Sequence, residues 1–355
     1  MTLRPEENVQ RGLISTTSRL LGEYQGDGLL LAHAWGDHTD QSMSRWNQGP
    51  ASRSAYALSF ETPARDPKDN HLPDYTPMVD VVCSYLAVLF GKRFDSHGLN
   101  ESSGLFYLPD LSAFNQLCDQ NLPHNTHSPR VDYPVPLNLV EVARIAPLME
   151  LEADSRPAAA FEGAAKFYLR ALQSAEQDRE VAYLHLVTAG EVLSNAYDYE
   201  LADLLDAQVS DALDRIRSGL DDGGAIAGLL SNRLRQIRRR FLRTILSLVD
   251  DSFFERSEAT VAYSAFQPES FEASIAAAYD LRSRYLHTGV PFGGWMRPAA
   301  TQAEVQLGQP VVQDSQLATI LGRAPTFIGL ERVVRYCLLR FAESSGLYLD
   351  AGGDA

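Results

Sequence analysis

Residues 182–194 read Ala-Tyr-Leu-His-Leu-Val-Thr-Ala-Gly-Glu-Val-Leu-Ser. Across 180–197, Val181, Ala182, Leu184, Leu186, Val187, Ala189, Val192, Leu193 and Ala196 spread apolar groups almost all round a helical cylinder. A helix apolar on every side is a central, buried one. The chain on both sides supplies helices to enclose it. Upstream, Phe161, Ala165, Tyr168 and Leu172 recur at i, i+4, i+7 and i+11. Downstream, 201–217 presents Leu201, Leu204, Leu205, Val209, Ala212, Leu213 and Ile216. Residues 228–249 present Leu230, Leu234, Ile237, Phe241, Ile245 and Leu248 at a helical period. A further helix is expected over 270–288, and Leu330, Val333, Val334, Cys337, Leu338 and Phe341 mark the last. Mostly short connections predict a mainly α fold, with an antiparallel helical bundle over 157–345. The tail 346–355 reads as frayed.

One connection is anomalous. About 40 residues, Gly289 to Ile328, separate the last two helices, and structureless loops of that length are uncommon in a compact domain. This one starts beside His287 and holds Phe292, Trp295 and Arg297. Such groups stack on bases or contact phosphates, so the segment is expected to border a site.

Residues 1–150 show a weaker pattern, expected to form a smaller mixed or irregular N-terminal domain with a sensing role. Leu29–Trp35 and Ser54–Phe60 read as short strands. Residues 77–92 read as a helix carrying Met78, Val81, Val82, Tyr85 and Leu89 on one face. Asn121 to Pro136 holds four prolines and reads as an extended connector.

Lys and Arg number 31 against 46 Asp and Glu, a net charge of −15. A chain this acidic does not coat nucleic acid or anionic membrane non-specifically, so any RNA contact needs a local basic feature. Met1 to Leu13 carries four charges and lacks an apolar core, so no signal peptide is expected. The apolar run from Val81 to Phe90 is too short to span a bilayer. Cys83, Cys118 and Cys337 are odd in number and far apart, which fits a reducing, cytoplasmic setting.

The most specific segment is Asp280-Leu-Arg-Ser-Arg-Tyr-Leu-His-Thr-Gly289. Gly289 stands where a C-terminal helix cap belongs, which puts His287 in the last turn, where the helix dipole favours an imidazolium. That suits proton transfer near neutral pH. Arg282 offers a planar fork for a phosphate. On one helix the two lie about 140° apart and about 7.5 Å along the axis, so they line a common groove only if a partner helix or second subunit completes it. The plainer reading is that Arg282 pairs with a core carboxylate and His287 caps the helix.

Arg-x4-His at a helix end, in an all-helical domain and followed by one amphipathic helix, resembles the HEPN superfamily. The wording at 182–194, 279–289 and 330–343 is similar to the ApeA-like HEPN group, in that order, and the likeness covers about 160–345. The resemblance implies a metal-independent endoribonuclease whose site forms where two domains pair, hence a homodimer. It also implies Arg282 and His287 as catalytic residues, a bacterial setting and a role in anti-phage defence. Ser283 stands where many members have Asn, Asp or His.

Glu191 lies on the helix that is apolar all round, where a carboxylate is costly unless paired. It reads as a structural ion-pair partner, as the residue that orients Arg282 or His287, or as both. Asp280, four residues before Arg284, is a normal helix-surface pair with a lesser supporting role. Residues 231–243 carry six arginines and no acid. Among them Arg235, Arg239 and Arg243 form a stripe at i, i+4 and i+8. It reads as a track for an RNA backbone or as a partner for the acidic stretch 191–222. His124-x2-His127 and Asp37-His38 lack companions at ligand spacing, so neither a metal nor another cofactor is expected. No GxxxxGK[ST], GxGxxG or GxSxG occurs. Two functions follow: an RNA-cutting enzyme answering a phage-derived or cellular trigger, or a non-catalytic protein whose bundle dimerises or binds a partner. The first requires Arg282 and His287 to face an open groove; the second seals them in the core with Glu191.

Overall fold

The computed structural model describes residues 8–34, 53–63, 73–102, 104–150, 155–200, 204–205, 207–233, 237–296, 302–308 and 310–348. The N-terminal part is an antiparallel sheet with one long helix on it. Strands β1 (Val9–Thr16), β2 (Tyr24–Gly26), β3 (Leu29–His33) and β4 (Ser54–Glu61) precede helix α1 (Thr76–Phe90). Strands β5 (Phe94–Ser102) and β6 (Leu105–Phe106) follow it. The sheet order is β2-β3-β4-β1-β5-β6. The two expected strands and the expected helix are β3, β4 and α1; Trp35 lies outside the described residues.

Strands β1 and β5 run through the middle of the sheet without an apolar signature. Their buried positions include Gln10, Ser15, Thr16, Asp95, His97 and Glu101. The Thr16 hydroxyl donates to the Arg93 carbonyl at 2.6 Å, His97 Nε2 meets Ser15 Oγ at 2.8 Å, and Arg53 and Arg93 both bind Asp95. Gly12 lets α1 settle on β1, since a Cβ there would stand 2.8 Å from Val79 Cγ2.

The rest of the chain is helical: α2 (Ala146–Glu150), α3 (Arg156–Ser174), α4 (Arg179–Leu193), α5 (Ala207–Gly219), α6 (Gly223–Arg233), α7 (Ile237–Leu248), α8 (Asp251–Glu255), α9 (Pro268–Thr288), α10 (Ser315–Arg323) and α11 (Phe327–Ser344). A mainly α chain with a mixed N-terminal part is therefore what the residues form. The single helix expected over 228–249 corresponds to two segments, α6 and α7, with 234–236 outside the described residues. The long gap after Gly289 holds α10, capped by Asp314 and packed on α9. The apolar helix expected at the centre is α4, which packs on α3, α7, α9 and α11. The tail expected to fray from 346 is held through Tyr348, since Leu347 and Tyr348 are buried; 349–355 lie outside the described residues. Among the described residues, no helix is long and apolar enough to cross a membrane, and all three cysteines are free and buried.

One contiguous hydrophobic core runs from Ile14 in the sheet to Tyr348 beyond α11. The stretch 121–136, expected as an extended connector, passes through the interior and buries Leu122, His124, Asn125, Arg130 and Asp132. Arg130 binds Glu331 of α11 through two bonds of 2.7 Å and Glu258 through Nε at 2.6 Å. Glu331 also accepts a bond from the Tyr168 hydroxyl of α3. Arg335 donates to the Val88 and Leu89 carbonyls at the end of α1, at 2.9 and 2.7 Å, where a cation complements the helix dipole. Gly91, with φ 62°, makes room: a Cβ there would stand 2.6 Å from Arg130 Cγ and 2.7 Å from Arg335 Nε. Arg332 binds Glu304 at 2.8 Å, with its guanidinium carbon 3.8 Å from the Phe253 ring centre. No spacing in the sequence announces this network, because its members come from widely separated segments.

Candidate functional site

Helix α9 begins with Pro268 in its first turn, where a missing N–H costs nothing. It ends at Gly289, whose φ of 65° gives the left-handed cap expected from the sequence. The Gly289 N–H donates to the Tyr285 carbonyl at 2.8 Å. His287 therefore occupies the last turn. It is exposed on the surface side of the helix, while Leu281 and Ala278 face the core.

Arg282 turns the other way. Its Nη2 donates to Glu191 Oε2 of α4 at 3.1 Å, and the two side chains retain 24% and 13% exposure. Helix α7 approaches α4 closely beside this pair because residue 190 is glycine: a Cβ would stand 2.5 Å from Phe241 Cε2 on α7. Tyr279, one turn before Arg282, completes the cluster. The Arg282 guanidinium carbon lies 5.7 Å from its ring centre, and its ring packs 5.7 Å from Phe241. Burial raises the Glu191 carboxyl above the ordinary carboxylate range and outweighs Arg282 and Tyr279, which both pull it down. Burial likewise raises the Tyr279 hydroxyl, with Glu191 adding to it. Glu191 Oε1 and Arg282 Nε are buried without a hydrogen-bond partner. Sequence reasoning passes over Tyr279. The signal that finds it is its i−3 spacing from Arg282, which puts both on one helix face.

The structure thus brings Glu191, Arg282 and Tyr279 together and leaves His287 apart from them. Ser283 is half-buried on α9. Asp280 does not pair with Arg284 as expected. It binds Arg238 of α7 through two bonds, at 2.7 and 3.0 Å, and Arg284 reaches across to Asp314 instead. Tertiary partners on neighbouring elements displace the local i,i+4 pair because they offer better-aligned groups.

The arginine run lies on α7. Arg235 falls outside the described residues. Arg238, Arg239 and Arg243 line an open groove of about 760 Å³ together with Tyr199, Ser247 and Glu272. Arg240 donates to the Ser194 carbonyl at 3.0 Å. The groove meets the Glu191 cluster through Arg238 and Asp280, two residues before Arg282. Trp295 is partly exposed in the turn after α9, and its carbonyl accepts from Gln306 Nε2 at 2.8 Å. Arg297 lies outside the described residues.

That turn is docked rather than loose. Phe292 is buried edge-on against Tyr183 of α4 and Tyr285 of α9, with ring centres 5.5 Å apart in both cases. Glu180 Oε1 accepts the N–H groups of Phe292 and Gly293 at 3.1 and 2.6 Å. The segment starting at Val290 therefore lies beside the end of α9 that carries His287.

Among the described residues, no three His, Cys, Asp or Glu side chains cluster as metal ligands would. His124 is buried in the 121–136 stretch, with its ring 6.1 Å from that of Phe327. Asp37 and His38 lie outside the described residues. No protein-family model, characterised protein or solved structure matches the chain.

Proposed function

We propose that the chain is a HEPN-type endoribonuclease that cuts RNA by attack of a ribose 2′-hydroxyl on the adjacent phosphorus, with no metal required. The observation that carries this reading is His287, exposed in the last turn of α9, on the same helix as an Arg282 whose guanidinium Glu191 holds in place. The 2′-oxygen forms a bond to phosphorus, the bond to the 5′-oxygen breaks, and the products are a 2′,3′-cyclic phosphate and a free 5′-hydroxyl. His287 moves the proton to or from the reacting oxygens. Arg282 stabilises the charge that builds on the phosphate. Arg239 and Arg243 hold the backbone of the strand. The HEPN likeness of 160–345 supports a role in bacterial anti-phage defence, with the N-terminal part receiving the trigger. The test is incubation of the purified chain with RNA, with and without EDTA. EDTA-resistant cutting that ends in cyclic phosphates is expected, and intact RNA under both conditions would overturn the reading.

A second reading, a non-catalytic binding protein, has one observation behind it. The Arg282–Glu191 pair is mostly buried within a single chain, as a structural ion pair would be.

A further inference from the structure

The described surface carries one concentrated apolar strip, at the β6 edge of the sheet and just beyond it. Phe106 is 82% exposed, Leu108 97% and Leu117 72%, and Leu105, Tyr107 and Leu111 are each about half exposed. From Ser102 to Leu117 the only charged residue is Asp110, in a chain of net charge −15. Soluble monomers rarely leave so much apolar surface contiguous. A sheet edge is normally protected by charge, by proline within the strand or by a covering segment. The opposite edge, β2, follows that rule, with Glu23 and Asp27 on either side of it.

The register shows that β6 has bonding groups to offer. Phe106 lies opposite Glu101, and Leu105 opposite Ser102. The Tyr107 N–H donates to the Asn100 carbonyl at 3.0 Å. Bonded and non-bonded pairs alternate along an antiparallel ladder, so Phe106 belongs to a non-bonded pair and its N–H and C=O point away from β5. Among the described residues, no further strand of the sheet lies on that side.

We propose that this edge is the homodimer interface of the chain, two copies pairing β6 against β6 antiparallel about a twofold axis. A twofold makes the strip its own complement, with each Phe106 N–H donating to the other copy's Phe106 carbonyl. At about 200 Å² for a fully exposed large apolar residue, the six side chains expose on the order of 800 Å², one partner's share of a standard stable interface. The strip carries almost no charge to select a foreign partner, and two strongly acidic copies meeting there bring Asp110 as its only like charge. This contact is a different one from the pairing of helical domains that the HEPN resemblance implies, and it leaves the α9 surface, with His287, uncovered.

The test is the mass of the intact chain in solution. Light scattering at tens of micromolar is expected to give twice 39.2 kDa. The double variant Phe106→Lys, Leu108→Lys is expected to give the single-chain mass with an unchanged circular dichroism spectrum. Leu286→Lys, on the exposed surface of α9, is expected to remain dimeric. Hydrogen exchange on the wild-type chain reads the same contact without a variant: the Phe106 amide should be protected, and more so as concentration rises. A wild-type monomer, a double variant that stays dimeric, a ladder of larger species, or exchange at Phe106 independent of concentration would each overturn the proposal. None of these readouts uses RNA cleavage.

Discussion

Arg130 and Glu331, 201 positions apart in sequence, are joined by two hydrogen bonds of 2.7 Å in the interior of the protein. The pair ties the segment leaving the sheet to α11. Removing one member leaves a buried charge without its partner, which costs about 3–5 kcal/mol. Arg130→Met is therefore expected to lower stability to urea by that amount. The double variant Arg130→Met, Glu331→Leu should recover a large part of it, because the Glu331 charge is gone as well. If the double variant were as unstable as the single one, shape rather than charge would be what the pair supplies.

Glu191 gives a pH test. Burial raises its carboxyl above the ordinary range, so the folded chain binds this proton more readily than the unfolded chain does. The linked contribution to stability is present at low pH and is lost as pH rises from the ordinary carboxylate range through the raised value. Gln at this position does not titrate. The melting-temperature advantage of wild type over Glu191→Gln is expected to shrink between pH 4 and pH 7. An advantage that grows over that interval would show that attraction to Arg282 outweighs burial.

His287 and Arg282 separate the two functional readings. His287→Ala is expected to lower RNA cleavage by roughly 10²–10⁴-fold with unchanged melting, since the side chain is exposed. Arg282→Ala should lower cleavage comparably and also lower the melting temperature, because it takes the cation away from Glu191. Arg282→Lys should recover only part of the rate, since an ammonium lacks the planar fork. Cleavage that persists in both alanine variants would mean the motif is scaffold.

The groove beside α7 predicts a salt effect. Each phosphate that is no longer neutralised reduces the slope of log affinity against log salt by about 0.7 for a single strand. Arg239→Gln with Arg243→Gln is expected to weaken RNA binding at low salt and to lower that slope by about 1–1.5. An unchanged slope would mean that the RNA follows a different path.

Much of the helical part was legible because its signal is local. The all-round apolar character of α4 announced a central helix, and Gly289 announced the end of α9, so the positions of Arg282 and His287 along that helix followed from the chain itself. The sequence by itself determined the long helices α3, α4, α9 and α11 and which of them is enclosed, since period and capping act over a few residues, while the short α8 and α10 carried no such signal. Tertiary structure alone decided the partners. Asp280 has Arg284 on its own helix but binds Arg238, because a packed neighbour offered a bidentate geometry. Strands β1 and β5 stayed hidden because their buried side chains are polar and become tolerable only once Arg53, Arg93 and Ser15 are folded against them. The 121–136 stretch looked like a linker because prolines report backbone conformation and not burial. Its place inside the protein depends on Glu258 and Glu331, which lie more than a hundred residues away. Which charges meet across such distances is decided by packing, and a periodic pattern carries no record of it.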